Sequence, residues 1–181
     1  MIGLVGVFCL GLAPFPAAAA SETITATARV KGRGGVEASA PVTITINRFS
    51  TDKERDAILA ALKDGGTAGV RKLLNTRDQI GSVQVGGVST ALKYIYARTT
   101  GGGRLITAVT EKPIAFVGGG VPGAPERAGF DLGLVMVEVM SSGAGHGELV
   151  PAAKVKANAD GAIVTDDYSA DVVQLSDVVK K

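Results

Sequence analysis

Apolar and polar residues alternate along most of this chain with a period of two, and one early stretch breaks the alternation. Residues 23–30 (TITATARV) and 42–49 (VTITINRF) are rich in Thr, Ile and Val. On a pleated strand, such alternation puts the apolar side chains on one face. Gly32, Gly34 and Gly35 lie between the two segments, which predicts an antiparallel pair joined by a turn.

The period then lengthens. Thr51-Asp52-Lys53-Glu54 fits a capping box, in which the Thr hydroxyl and the Glu carboxylate satisfy backbone N–H groups at a helix start. Ala57, Ile58, Ala61 and Leu62 follow at helical spacing, and Gly65-Gly66 stops the run. Residues 67–75, with Val70, Leu73 and Leu74 on one side, read as a second, shorter helix. The expectation is a helical hairpin that covers one face or one end of a sheet.

After Arg77 the period of two returns. Residues 82–85 form a short strand. Leu92, Tyr94 and Tyr96 alternate with Lys93 and Arg98 in a longer one, and Gly101-Gly102-Gly103 turns the chain into residues 105–110. Residues 117–129 are glycine- and proline-rich and read as irregular. Residues 130–140 are apolar on both faces, the pattern of a central strand or one buried on two sides. Residues 148–157 follow, with Pro151 demoting part of them to an edge or a bulge. Asn158-Ala159-Asp160-Gly161 is a hairpin turn into 162–165, and 172–175 with 178–179 close the chain. The fold class is mainly β (α+β): an antiparallel β-barrel or sandwich of about eight strands, with one helical hairpin inserted after the second strand.

Residues 1–20 stand apart. Residues 1–16 (MIGLVGVFCLGLAPFP) carry no Asp, Glu, Lys or Arg, and Ala17 to Ala20 offer the small side chains a signal peptidase reads. The segment lacks a basic n-region beyond its α-amino group. An uncleaved anchor would need about twenty apolar residues and could reach that length only by including Pro14 and Pro16. Gly6-Val7-Phe8 before Cys9 is not a lipobox. The expectation is a signal peptide over 1–20, a single β-rich domain over 21–181, no membrane span after signal removal, and a periplasmic or secreted location.

Composition narrows the chemistry. Cys9 is the only cysteine, so a mature domain without residues 1–20 would have neither thiol nor disulfide. The remaining length is enough to bury a core without such staples. A formal net charge of +2 is near balance and gives no electrostatic case for nucleic acid. No Trp, three Tyr and five Phe, two of them in the first sixteen residues, cannot furnish the aromatic girdles of a transmembrane barrel.

Several short patterns imitate active sites. Gly118 to Gly123 matches G-x-G-x-x-G, but Pro122 and Pro125 remove donors and no helical pattern follows. Ser50-Thr51-Asp52-Lys53 matches S-x-x-K, yet the same residues are the helix start. Residues 156–167 resemble a calcium loop with Lys156 where the first ligand should be. Asp160, Asp166, Asp167 and Asp171 are read as solvated. His146 is the sole histidine, and its glycine-rich neighbours place it in an exposed turn. No catalytic residue, metal ligand or cofactor is therefore expected. The plausible contact elements are Tyr94 and Tyr96 on their strand and the loop around Val121, because loops on a rigid sheet are where recognition concentrates.

Residues 49–56 (FSTDKERD), 145–149 (GHGEL) and 166–175 (DDYSADVVQL) together resemble a family of small exported bacterial proteins of unknown function. The resemblance implies export from a bacterium and a single domain, and it brings no catalytic residues. The sequence thus predicts a non-enzymatic binding or envelope-associated domain that takes a small apolar ligand or a protein partner. The alternative is a small carboxylate-dependent hydrolase.

Overall fold

In the computed structural model, residues 21–31, 37–116, 128–166 and 172–181 are described. The chain runs β1 (Glu22–Lys31), β2 (Glu37–Ile46), α1 (Asp52–Asn75), β3 (Gly81–Val85), β4 (Val88–Thr99), β5 (Gly103–Thr110), β6 (Leu132–Met140), β7 (Ala144–Ala153), β8 (Val155–Ala157), β9 (Ile163–Thr165) and β10 (Val173–Lys180). Eight strands close into an antiparallel barrel in the order β1-β10-β7-β6-β5-β4-β3-β2, and β8 and β9 form a separate hairpin. Closure, rather than two stacked sheets, pairs β1 with both β2 and β10 and leaves no barrel strand with a free edge.

Alternation along the strands produces two cores. Ile24, Ile44, Val83, Ile106, Val137 and Leu175 point into the barrel and fill it. Gly145 and Gly147 sit opposite Val139 and Val137. A Cβ on Gly145 would lie 2.0 Å from the Glu138 carbonyl oxygen, so only glycine fits that close approach of β7 to β6. The second core lies outside the wall. Tyr94, Val109, Leu132, Leu134 and Val150 face outward and are covered by Ile58, Val70 and Leu74 of α1 and by Val155 and Ile163 of the β8–β9 hairpin. This explains why residues 130–140 are apolar on both faces: β6 contributes to both cores. Each fully buried aliphatic side chain of α1 contributes about 2 kcal/mol in burial alone.

The helical region corrects one expectation. In place of two helices with a link between them, α1 is one continuous element whose two helical arms meet at Gly66, the one residue that leaves helical geometry (φ 58°, ψ −150°). One glycine in the positive-φ region redirects the axis without any linker residues. The bend brings Gly69 against the backbone of Ala61, where a Cβ would lie 2.3 Å from the carbonyl oxygen.

Two further boundaries differ from the alternation pattern, and the irregularity expected at Pro151 is present. His146 lies inside β7 rather than in a turn, paired in register with Glu138. Pro151 also lies in β7, at a register shift where Leu132 pairs Ala153 and Leu134 pairs Val150, so the missing N–H falls at a bulge. The closing residues form one strand, β10, whose irregularity contains Asp177 at φ 53°.

Candidate functional site

The start of α1 is set by residues close together in sequence. Thr51 accepts a hydrogen bond from the Glu54 backbone N–H (3.2 Å), and the Glu54 carboxylate accepts from the Thr51 N–H (2.8 Å), completing the capping box. Arg48 adds a bidentate pair to the same carboxylate, with both nitrogens at 3.0 Å, and Arg77 approaches it at 3.4 Å. The Arg48 hydrogen bonds lead the causes that hold the Glu54 pKa at about 2. This anchored first turn fixes Asp52, Arg55 and Asp56 beside the outer wall of β4.

On that wall, a bulge decides which side chains are available. Leu92 pairs Thr110 and Tyr94 pairs Val109, so one extra residue of β4 is accommodated between them. The extra residue, Lys93, reaches Glu111 at 2.6 Å. Past the bulge the alternation is inverted. Leu92, Ile95 and Ala97 belong to the barrel interior, while Tyr94 and Tyr96 belong to the outer core. The single alternating strand read from the sequence grouped Leu92 with the tyrosines; the structure puts them on opposite sides.

Tyr94 and Tyr96 stack with their ring centroids 6.3 Å apart and 10° between planes. Tyr94 is buried, and burial, followed by the neighbouring Tyr96, pushes its hydroxyl pKa well up. Tyr96 is half-buried. Its hydroxyl donates to Asp52 Oδ1 (2.8 Å) and accepts from Arg55 Nη1 (2.8 Å). The hydrogen bond to Asp52 is the largest cause raising its pKa. Arg55 is committed in three directions, since it also pairs with Asp56 (2.9 Å) and Asp52 (3.6 Å).

The opposite side of the site is the β8–β9 turn. Asn158 organises it: its side-chain oxygen accepts from the backbone N–H groups of Asp160 (3.0 Å) and Ala162 (2.8 Å), and its carbonyl accepts from Gly161 N–H (3.0 Å). Gly161 takes the positive φ (69°) that the turn needs. The hairpin is fastened to α1 where Val155 N–H donates to the buried Thr67 hydroxyl (3.0 Å). Asp160 thereby reaches Arg98, with Oδ2 and Nη1 3.3 Å apart.

Between these elements lies a pocket of about 110 Å³. Tyr94, Tyr96, Leu105 and Ile163 form its apolar surface, and Arg55, Arg98 and Asp160 are its charged lining residues. An apolar lining with a few polar groups is the usual makeup of a small-ligand site. Comparison with protein-family models, curated proteins and solved structures finds no match to this chain.

Of the expected contact residues, Tyr94 and Tyr96 meet in this pocket, and Val121 lies outside the described residues, as does the G-x-G-x-x-G stretch. Arg55, Arg98 and Asp160 were not singled out as binding residues from the sequence. The Asn158–Gly161 turn placed Asp160 at a hairpin tip, but only tertiary packing brings it to Arg98. Ser50 is buried, and its hydroxyl oxygen accepts from the Ile95 N–H (3.1 Å), a strand-edge role. His146 is exposed, with Nε2 3.7 Å from Glu138. Asp166 faces Lys154 and Lys156, while Asp167 and Asp171 lie outside the described residues. Among the described residues there is no group of three or more His, Cys, Asp or Glu side chains that could hold a metal, and no helix long and apolar enough to cross a membrane.

Proposed function

We propose that this chain is an exported bacterial protein, a non-enzymatic binding or envelope-associated domain, whose recognition site is the pocket between the Tyr94–Tyr96 face and the β8–β9 turn. The observation that carries the reading is the combination of a buried Tyr94 stacked on a half-buried Tyr96 with a turn whose geometry is fixed by Asn158. Side chains held this way bind without a large ordering cost. The filled barrel behind them supplies a stiff wall. What favours binding over carboxylate-dependent hydrolysis is that Asp160 is the one carboxylate among the described lining residues, so no second acid or base converges on the pocket with it.

The pocket volume is below the roughly 150 Å³ of a cavity that takes benzene, so a short branched group is the right size. Titration with isobutanol, followed by nuclear magnetic resonance, is expected to shift the Tyr94, Tyr96 and Ile163 resonances with a Kd on the order of millimolar. Ile163→Trp, which fills the space, is expected to abolish those shifts. Uniform small shifts over the whole barrel would refute the assignment of the site.

A further inference from the structure

Of the pocket's two cations, only one is open to exchange. Arg55 is held by the Tyr96 hydroxyl, Asp52 and Asp56. Arg98 meets Asp160 through a single nitrogen at 3.3 Å, and both side chains are substantially solvent-exposed (41% and 67%). An exposed single-point ion pair is weak. A guanidinium also prefers a two-pronged carboxylate contact, which this pair does not use.

Asp160 is nevertheless placed with care. Three hydrogen bonds to Asn158 and the positive φ of Gly161 shape the tip that carries it. Leu105, Ile163 and the tyrosine rings lie beside it in the same lining. A carboxylate thus stands on an arginine at the edge of an apolar hollow, the arrangement that a ligand bearing a carboxylate on a short apolar stem would make for itself.

We propose that Asp160 is a built-in occupant of a carboxylate site: it holds Arg98 until a small carboxylate with a short branched stem displaces it. The stem takes the hollow lined by Leu105 and Ile163, and the carboxylate takes Arg98 in a two-pronged contact while Asp160 turns to solvent. The inference rests on the pocket being the binding site and adds the chemical class of the ligand and a competing group within the chain.

The test compares isobutyrate with its neutral counterpart isobutyramide, titrated into the wild type, Asp160→Asn, Asp160→Ala and Arg98→Met. The Asp160 side chain is exposed and its backbone makes the turn contacts, so both replacements keep the hairpin. Removing the competitor should tighten isobutyrate about three- to five-fold in both Asp160 variants, the most an exposed pair can withhold. Isobutyramide should change less than two-fold. Arg98→Met should lose the preference for the acid, and added salt should shrink the gain. If the Asp160 variants shift acid and amide equally, or neither, the displacement idea is overturned while the pocket stands. If neither probe moves the pocket resonances in any variant, the pocket itself is refuted.

Discussion

Leu92 and Tyr94 are two positions apart in one strand, yet one points into the barrel and the other out of it. The register shift between them is the cause. With strict alternation both would share a face, and a one-residue slip would carry Tyr96 and Arg98 inward with Tyr94. The bulge therefore creates the outer face on which the candidate pocket is built.

Ser50 supports β4 just past that irregularity. Its N–H donates to the Ile95 carbonyl (2.6 Å), and its hydroxyl oxygen accepts from the Ile95 N–H (3.1 Å), replacing strand pairing where β3 has ended. Ser50→Ala leaves a buried N–H without that acceptor, at a cost of about 1–3 kcal/mol. Denaturant unfolding should show this loss, and hydrogen exchange at Ile95 should quicken well beyond that of Val83. Unchanged protection at Ile95 would mean that the hydroxyl contributes nothing there.

Glu54 makes stability depend on pH in a defined window. Its pKa falls from 4.5 to about 2 on folding, chiefly through Arg48. A depressed carboxylate pKa contributes stability that is fully present above the unfolded value and is lost as pH falls through the folded one. The window thus runs from pH 4.5 down to about 2. Because the group is partly exposed, the contribution is discounted to about 1–2 kcal/mol. Glu54→Gln should be less stable by that amount at neutral pH, and its stability should fall less steeply than the wild type's across the window. Parallel acid-unfolding curves for the two proteins would show that the Arg48–Glu54 pair is energetically idle.

The bend in α1 separates two neighbouring glycines by consequence. A Cβ on Gly65 meets nothing within 4 Å, whereas one on Gly69 would strike the Ala61 carbonyl oxygen. Gly65→Ala should be neutral to stabilising, by up to about 1 kcal/mol, because alanine is the better helix former. Gly69→Ala should destabilise by about 1–3 kcal/mol, as overpacked positions do. Thermal unfolding of the two variants decides it; similar effects would contradict the close approach of the two arms.

Much of the architecture was legible in the linear pattern because the information is local. The capping box at Thr51–Glu54 is a four-residue signature. The turn at residues 158–161 carries Asn and Gly at fixed offsets. Period-two segments become strands wherever one face must be dry. Misreadings came where a backbone irregularity intervened: the bulge before Tyr94, and Gly66, whose single left-handed residue joins two helical arms with no link between them. The bulge at Pro151, by contrast, is the one that proline's missing N–H predicts.

Residue order alone determined that this chain would be built of short alternating strands with one helical interruption, because side-chain period and capping chemistry act over a few residues. Tertiary structure decided that the strands close into a barrel, that β6 serves two cores, and that Arg98 meets Asp160 from sixty-two positions away. Such pairings depend on register and bulges summed around the whole ring, and no local window of sequence encodes that sum.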